Sequence, residues 1–389
     1  MPGNLLVIHG GAPTPVINAS LYGVINQAGR HSQIENVLGA IGGVQAVHSG
    51  RFANLSGLPQ EKLELLLSTP ASIIGSSRDH VTEEDYEKMA GAFLQHNIRF
   101  VLLNGGNGTM DTCKKIHDRC KDWGITVVGI PKTIDNDILA TDHTPGYGSA
   151  ARYIAATTAE ISQDLKSLPI HMCVMEVMGR DTGWIAAASV LARRKPEDAP
   201  HLIYTPELPF DEEGFIKDVK ALHDENGYGL VLVSEGLRDK EGKSIVPPIF
   251  QAGRSVYFGD TSTHLAGLII RKLGIKARSE KPGICGRASS AWQSEVDRDE
   301  AIQAGSEAVK AAAEGCGGVM VAMERMLGRN YQIKWKRIPI EPDVLKERAM
   351  PREFINEKGN GITQSFVDYC RPLIGSGLPD FSNWNKYIS

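Results

Sequence analysis

Asp135 and Asp137 stand two residues apart in Gly129-Ile130-Pro131-Lys132-Thr133-Ile134-Asp135-Asn136-Asp137, with a lysine and a threonine beside them. One carboxylate of such a pair can take a hydroxyl proton while the other holds a cation such as Mg²⁺. The same spacing suits a solvated acidic turn. A second segment, Asn104-Gly105-Gly106-Asn107-Gly108-Thr109, carries three glycines in four positions ahead of a helical stretch. Bare glycines open backbone N–H groups to an anion, and a helix N-terminus adds partial positive charge. Asn107 or Thr109 is the expected cap. Gly10-Gly11, after the apolar run Leu5-Leu6-Val7-Ile8-His9, reads either as a second phosphate loop or as a plain turn. Arg180, in Met178-Gly179-Arg180-Asp181-Thr182-Gly183, reads as a phosphate clamp or as a surface arginine.

Those segments need elements to hold them. Strands are expected at 5–9, 100–104, 126–130, 171–177, 201–205, 229–234 and 318–323. These runs are apolar without a polar alternate, the pattern of strands buried on both faces of a parallel sheet. Helices are expected at 82–96, 110–122, 150–168, 212–226, 262–273 and 295–314, which makes an α/β chain. Exposed loops are expected at 195–200 and 237–250, and a surface tail at 371–389. All four chemical segments follow a strand or its vicinity, where open α/β sheets bind ligands. No Walker A loop is present. The match Gly146-Tyr147-Gly148-Ser149-Ala150-Ala151 follows a polar, proline-containing loop and is a poor dinucleotide fingerprint.

At 389 residues, 42% hydrophobic and 23% charged, the chain predicts two or three globular domains. Forty-two Lys and Arg against 46 Asp and Glu exclude a strong electrostatic case for nucleic acid. No apolar run approaches the ~18 residues of a membrane span, and the N-terminus lacks a charged signal region, so a cytoplasmic protein is expected. The six cysteines form no C-x-x-C pair and read as reduced, mostly buried thiols. Glycine, at 41 residues, exceeds the usual ~7% and gathers at strand ends.

In this order, these segments resemble the 6-phosphofructokinase family, which has ATP- and pyrophosphate-dependent members. The most specific pieces are PKTIDND at 131–137 and EVMGR at 176–180, supported by GGNGT (105–109), GSSR (75–78) and PE (206–207). The resemblance runs from Gly10-Gly11 to about Gly305. It implies two Rossmann-like α/β/α domains facing a cleft. The donor domain would span 1–146 plus about 288–335; the sugar-phosphate domain would span 147–287 plus part of 336–389. It also implies a homodimer or homotetramer, Mg²⁺, and phosphoryl transfer to the 1-hydroxyl of fructose 6-phosphate. Asp135 resembles the general base and Thr133 a contact of the transferred group, with Arg180 beside them. Gly11, Arg78, Gly105, Gly106, Asn107, Gly108, Thr109 and Lys132 resemble the donor site. Met178, Gly179, Glu207 and Arg287 resemble the sugar-phosphate site, to which Arg278 is added as a candidate phosphate contact. Asp137 resembles a metal-site or supporting carboxylate and is counted with the substrate-binding residues as well, and Asn107 joins it at the metal site.

Five positions bear on the choice of donor and acceptor. Gly108 leaves room for a nucleotide's α-phosphate where pyrophosphate users carry Asp, so ATP is the expected donor. Lys132 is typical of pyrophosphate users, which keeps pyrophosphate as the alternative. Asn107 replaces an acid that helps bind Mg²⁺. His171 and Ile284 stand where many relatives have a sugar-phosphate Arg and His, which keeps another sugar phosphate open as acceptor. A sugar-phosphate-binding regulatory protein is the reading from another class; Asp135, Asp137 and Arg180 argue against it.

Overall fold

The computed structural model describes residues 2–79, 81–252, 255–328 and 330–382. In chain order the strands are β1 (Gly3–His9), β2 (Ile34–Ala40), β3 (Phe52–Asn54), β4 (Ile98–Gly105), β5 (Thr126–Pro131), β6 (Met172–Val177) and β7 (Leu202–Tyr204). They continue with β8 (Gly229–Ser234), β9 (Pro248–Ala252), β10 (Ser255–Phe258), β11 (Ala277–Glu280), β12 (Val319–Arg325) and β13 (Ile333–Pro339). Every expected strand is present. Two units result, one of residues up to Ala150 with Pro282–Met350, the other of Ala151–Lys281 with the segment after Met350.

The first unit is built on the sheet β13-β12-β5-β4-β1-β2-β3. Its central pairs, from β12 to β2, run parallel, and only the outer strands β13 and β3 are antiparallel. Leu5, Leu6, Val7 and Ile8 are all buried, so both faces of β1 are covered, as an uninterrupted apolar run requires. Leu6, Ile8, Val101 and Leu103 feed one core, and Leu5, Val7, Leu102 and Val128 the other. Helices Ile17–Ala28 and Glu295–Ala313 cross closely enough that a Cβ at Gly23 would lie 2.0 Å from the Ile302 carbonyl oxygen. Glycine is obligatory at that crossing.

The second unit carries an all-parallel sheet, β11-β6-β8-β7, whose strands β6 and β8 are buried at every residue. The chain after Met350 packs here: Ile203 N–H donates to the Asn360 carbonyl, and Trp184 stacks against Phe354 and Phe366. Leu373 and Ile374 are buried, so the expected surface tail is anchored at its start, while 383–389 lie outside the described residues. The expected loop at 237–250 ends inside a hairpin, because Pro248–Ala252 pairs with Ser255–Phe258. Strands β2, β3, β11 and β13, at or next to a sheet edge, carry polar alternates that hide them from a search for buried runs. Four of the six cysteines are buried; Cys285 is exposed and Cys316 half-buried. No described helix is long and apolar enough to cross a membrane.

Candidate active site

In the first unit the two glycine loops lie side by side, because β1 and β4 are parallel neighbours with His9 opposite Asn104. Thr109 holds them together. A Cβ at Gly10 would lie 2.3 Å from the Thr109 hydroxyl oxygen, and one at Gly105 would lie 2.2 Å from it. The helix after the second loop starts at Asn107, three residues earlier than the periodicity suggests, so Asn107–Thr109 form its first turn. Its cap is Gly106, without any side-chain hydrogen bond, in place of the expected Asn107 or Thr109. Thr109 N–H donates back to the Gly106 carbonyl at 2.9 Å, which leaves the N–H groups of Asn107 and Gly108 for an anion. Gly108 is exposed, and a Cβ there would meet nothing within 4 Å.

Lys132 ends β5 against these loops. Its chain is 2% exposed, and its ammonium donates to the carbonyls of Gly10 at 2.9 Å and Ala12 at 2.6 Å. Gly11, at φ +75°, comes within 3.7 Å of that ammonium with its ideal Cβ position. Desolvation, reinforced by Arg78, lowers the Lys132 pKa to about 8; Arg287 acts in the same direction and Asp135 against it. Arg287 thus belongs with the glycine loops of the first unit. Arg78 follows Ser77, whose carbonyl accepts from Gly11 N–H, and is exposed.

The carboxylate loop is fixed from within. Asp135 N–H donates to the Thr133 hydroxyl at 3.1 Å, and that hydroxyl lies 3.5 Å from Oδ2 of Asp135. Asn136 adopts φ +55°, a conformation asparagine tolerates better than most residues, and its side-chain oxygen accepts from Thr144 N–H. Asp137 accepts at Oδ2 from the Asn107 amide at 3.2 Å, and desolvation raises its pKa. Oδ1 of Asp137 and Oδ1 of Asn107 are both buried without a hydrogen-bond partner. Two orphaned oxygens on side chains that hydrogen-bond each other fit Mg²⁺, which takes one or two protein oxygens and completes its shell with phosphate and water.

In the second unit Met178, Gly179 and Arg180 follow the carboxyl end of β6. Gly179, at φ +115°, turns the chain, and its carbonyl accepts from the Ser234 hydroxyl. Glu207 joins them: its Oε1 accepts from Gly183 N–H at 2.7 Å, tying the end of β7 to the turn after Arg180. Arg278 is placed elsewhere. It pairs in register with Cys173, near the amino end of β6, five residues from Met178 and so roughly 16 Å along the strand. His171 lies at that same end, buried with neither ring nitrogen hydrogen-bonded; desolvation and then Arg278 lower its pKa. Ile284 is exposed in the first unit.

Sequence reasoning passed over a buried polar group behind the carboxylate loop. His143 donates from Nδ1 to Asp142 (2.8 Å) and from Nε2 to Glu300 (2.7 Å), and Tyr331 and Arg325 close the cluster. Its partner Glu300 is 157 residues away, so no local spacing announces it. Desolvation opposes its charge, but the two carboxylates win and hold its pKa up to about 9 against an ordinary 6.5. Stabilisation from His143 is therefore complete below pH 6.5 and is lost as pH rises through 9. Between pH 6.5 and 8, below the Lys132 transition, the thermal midpoint is expected to fall with pH, and less steeply in His143→Gln. Equal slopes in calorimetry would remove this assignment. Asp297 was likewise missed. It accepts from Gly146 N–H and Ser149 N–H, so a carboxylate already covers the helix start at the dinucleotide-like match.

The comparisons accord with this arrangement. The phosphofructokinase family model matches residues 4–312. The pyrophosphate–fructose 6-phosphate 1-phosphotransferase of Rhodospirillum rubrum is 34% identical over 97% of this chain and 96% of its own. The ATP-dependent 6-phosphofructokinase of Chloroflexus aurantiacus is 30% identical over 82% of this chain and 86% of its own. A crystal structure of the pyrophosphate-dependent phosphofructokinase from Marinobacter aquaeolei superposes with a TM-score of 0.88 at 32% identity, covering 98% of this chain and 94% of that one. The family model and these relatives cover most of the sequence, and the chain belongs to the phosphofructokinase family of phosphotransferases.

Proposed function

We propose that the protein transfers a phosphoryl group from pyrophosphate to the 1-hydroxyl of fructose 6-phosphate, giving fructose 1,6-bisphosphate and orthophosphate. The observation that carries this reading is the buried Lys132 ammonium, held on the Gly10 and Ala12 carbonyls beneath the glycine loops. A fixed cation there offsets the charge of a free diphosphate, which brings no adenosine to bind elsewhere. The pyrophosphate-dependent relatives, which share more of this chain than the ATP-dependent one, support it. The donor expected from Gly108 alone was ATP; weighed against Lys132 and these relatives, that expectation gives way.

Asp135 takes the proton of the attacking hydroxyl, and Thr133 sets its carboxylate. The first turn at Asn107–Thr109, Gly11, Arg78 and Lys132 bind the donor. Asn107 and Asp137 would hold Mg²⁺, which neutralises phosphate charge when bound. Arg180, Met178, Gly179 and Glu207 bind the acceptor, with Arg287 on its 6-phosphate. Arg278 on β11 and His171 just before β6, set apart from these residues, act in a homodimer or homotetramer. The test is a steady-state assay with pyrophosphate and Mg²⁺ against fructose 6-phosphate, sedoheptulose 7-phosphate or no acceptor. Turnover is expected with fructose 6-phosphate; a higher kcat/KM for sedoheptulose 7-phosphate would change the acceptor, and none with either would end the reading.

One observation favours ATP as a second reading: the open space at Gly108. A carboxylate introduced there would repel a nucleotide's α-phosphate. Gly108→Asp is expected to lower any ATP-dependent rate at least about tenfold while pyrophosphate use stays within about threefold. Equal losses with both donors would mean loop damage alone.

A further inference from the structure

The Asp135–Asp137 turn is held from outside by one side chain that belongs to none of the chemical segments. Arg348 lies in the extended segment after β13, where Glu347 forms an antiparallel bridge with Ile138. Its backbone N–H donates to the Asp137 carbonyl at 2.7 Å. Its Nε and Nη2 both donate to the Asn136 carbonyl, at 3.1 and 2.8 Å. The carbonyls before and after the Asp137 Cα are therefore both fixed by the same residue. The other edge of the guanidinium reaches Thr141 and Asp142, donating from Nη1 to their carbonyls at 2.7 and 2.6 Å.

The 141–143 stretch is a rigid anchor. Asp142 N–H donates to the Met323 carbonyl of β12, and the Thr141 hydroxyl accepts from Met323 N–H. Arg325 of β12 pairs with the Asp142 carboxylate, and His143 is clasped between Asp142 and Glu300 of the helix Glu295–Ala313. Arg348 thus ties a turn with a left-handed residue at its centre to strand β12 and to a core helix. A planar fork with five donors suits several carbonyls at fixed angles, and a lysine ammonium does not.

We propose that Arg348 is a positioning residue for phosphoryl transfer, holding the two peptide planes that flank Asp137 and, through Asn136, the turn that carries Asp135. The inference rests on the reading of Asp135 and Asp137 given above. Misplacement of reacting groups by about 1 Å costs on the order of 10²-fold in rate. Arg348→Ala is therefore expected to lower kcat per folded molecule by ~30–100-fold, with KM for donor and acceptor within about threefold, and free guanidinium ion is expected to restore about fivefold or more of it. Folded fraction is read by calorimetry on the same samples. Should Arg348→Ala fail to fold, Arg348→Lys decides: ~10-fold lower kcat at an unchanged melting temperature supports the proposal. Unchanged kcat per folded molecule in either variant, or a loss confined to KM, overturns it. Asp135→Asn is the control that separates the two claims. If that variant keeps full activity, the reading of the loop fails; if it is inactive while Arg348→Ala is not, only the role of Arg348 fails.

Discussion

Asp135→Asn is expected to lower kcat by about 10²–10⁴-fold, the usual contribution of a positioned general base. Asparagine keeps the shape of the side chain and the backbone bond from Asp135 N–H to the Thr133 hydroxyl. What it loses is the capacity to accept the proton that the acceptor hydroxyl must shed. Melting temperature and both KM values are therefore expected to stay close to those of the parent. Initial rates at saturating donor and acceptor, over a series of enzyme concentrations, check this. A variant within about threefold of the parent would remove Asp135 from its role.

Lys132→Met is expected to lower kcat/KM for the phosphoryl donor by about 10–10²-fold. That follows from a charge-assisted contact worth ~1.5–3 kcal/mol at ~1.4 kcal/mol per tenfold. Methionine fills the buried channel without the ammonium. The Gly10 and Ala12 carbonyls lose their donor, so some loosening of the first glycine loop adds to the effect. A pH profile separates charge from packing. Burial brings the Lys132 pKa down to about 8, so the free enzyme loses this cation as pH rises through that value. The parent's kcat/KM for donor is expected to fall above pH ~8, and the Met variant to lack that limb. An identical alkaline limb in both proteins would show that Lys132 does not meet the donor as a cation.

Buried parallel strands were legible because each run is apolar throughout, and the phosphate-facing glycines were legible because they interrupt those runs. The start of the helix at Asn107 was not. Three glycines lower local helix propensity, and what recruits the turn is Thr109 wedged between Gly10 and Gly105, two loops brought together only by strand pairing. Strands β2 and β13 escaped for the opposite reason, since solvated polar positions break the apolar pattern. Asp135, Asp137 and Lys132 announced themselves through type and spacing. Arg348, His143 and Asp297 could not, because each acts on a partner about 150 or more residues away in sequence. Arg278 was added to the sugar-phosphate residues as a candidate phosphate contact, and the β11–β6 register sets it at the other end of the strand.

The central claim concerns the donor, and a single competition decides it. Enzyme, Mg²⁺ and fructose 6-phosphate are mixed with equal concentrations of pyrophosphate and ATP, and the reaction is followed by phosphorus NMR. The expected result is growth of orthophosphate and a new phosphomonoester at C1, with the pyrophosphate signal falling in step and the three ATP signals intact. Appearance of ADP while pyrophosphate remains unchanged would contradict the account.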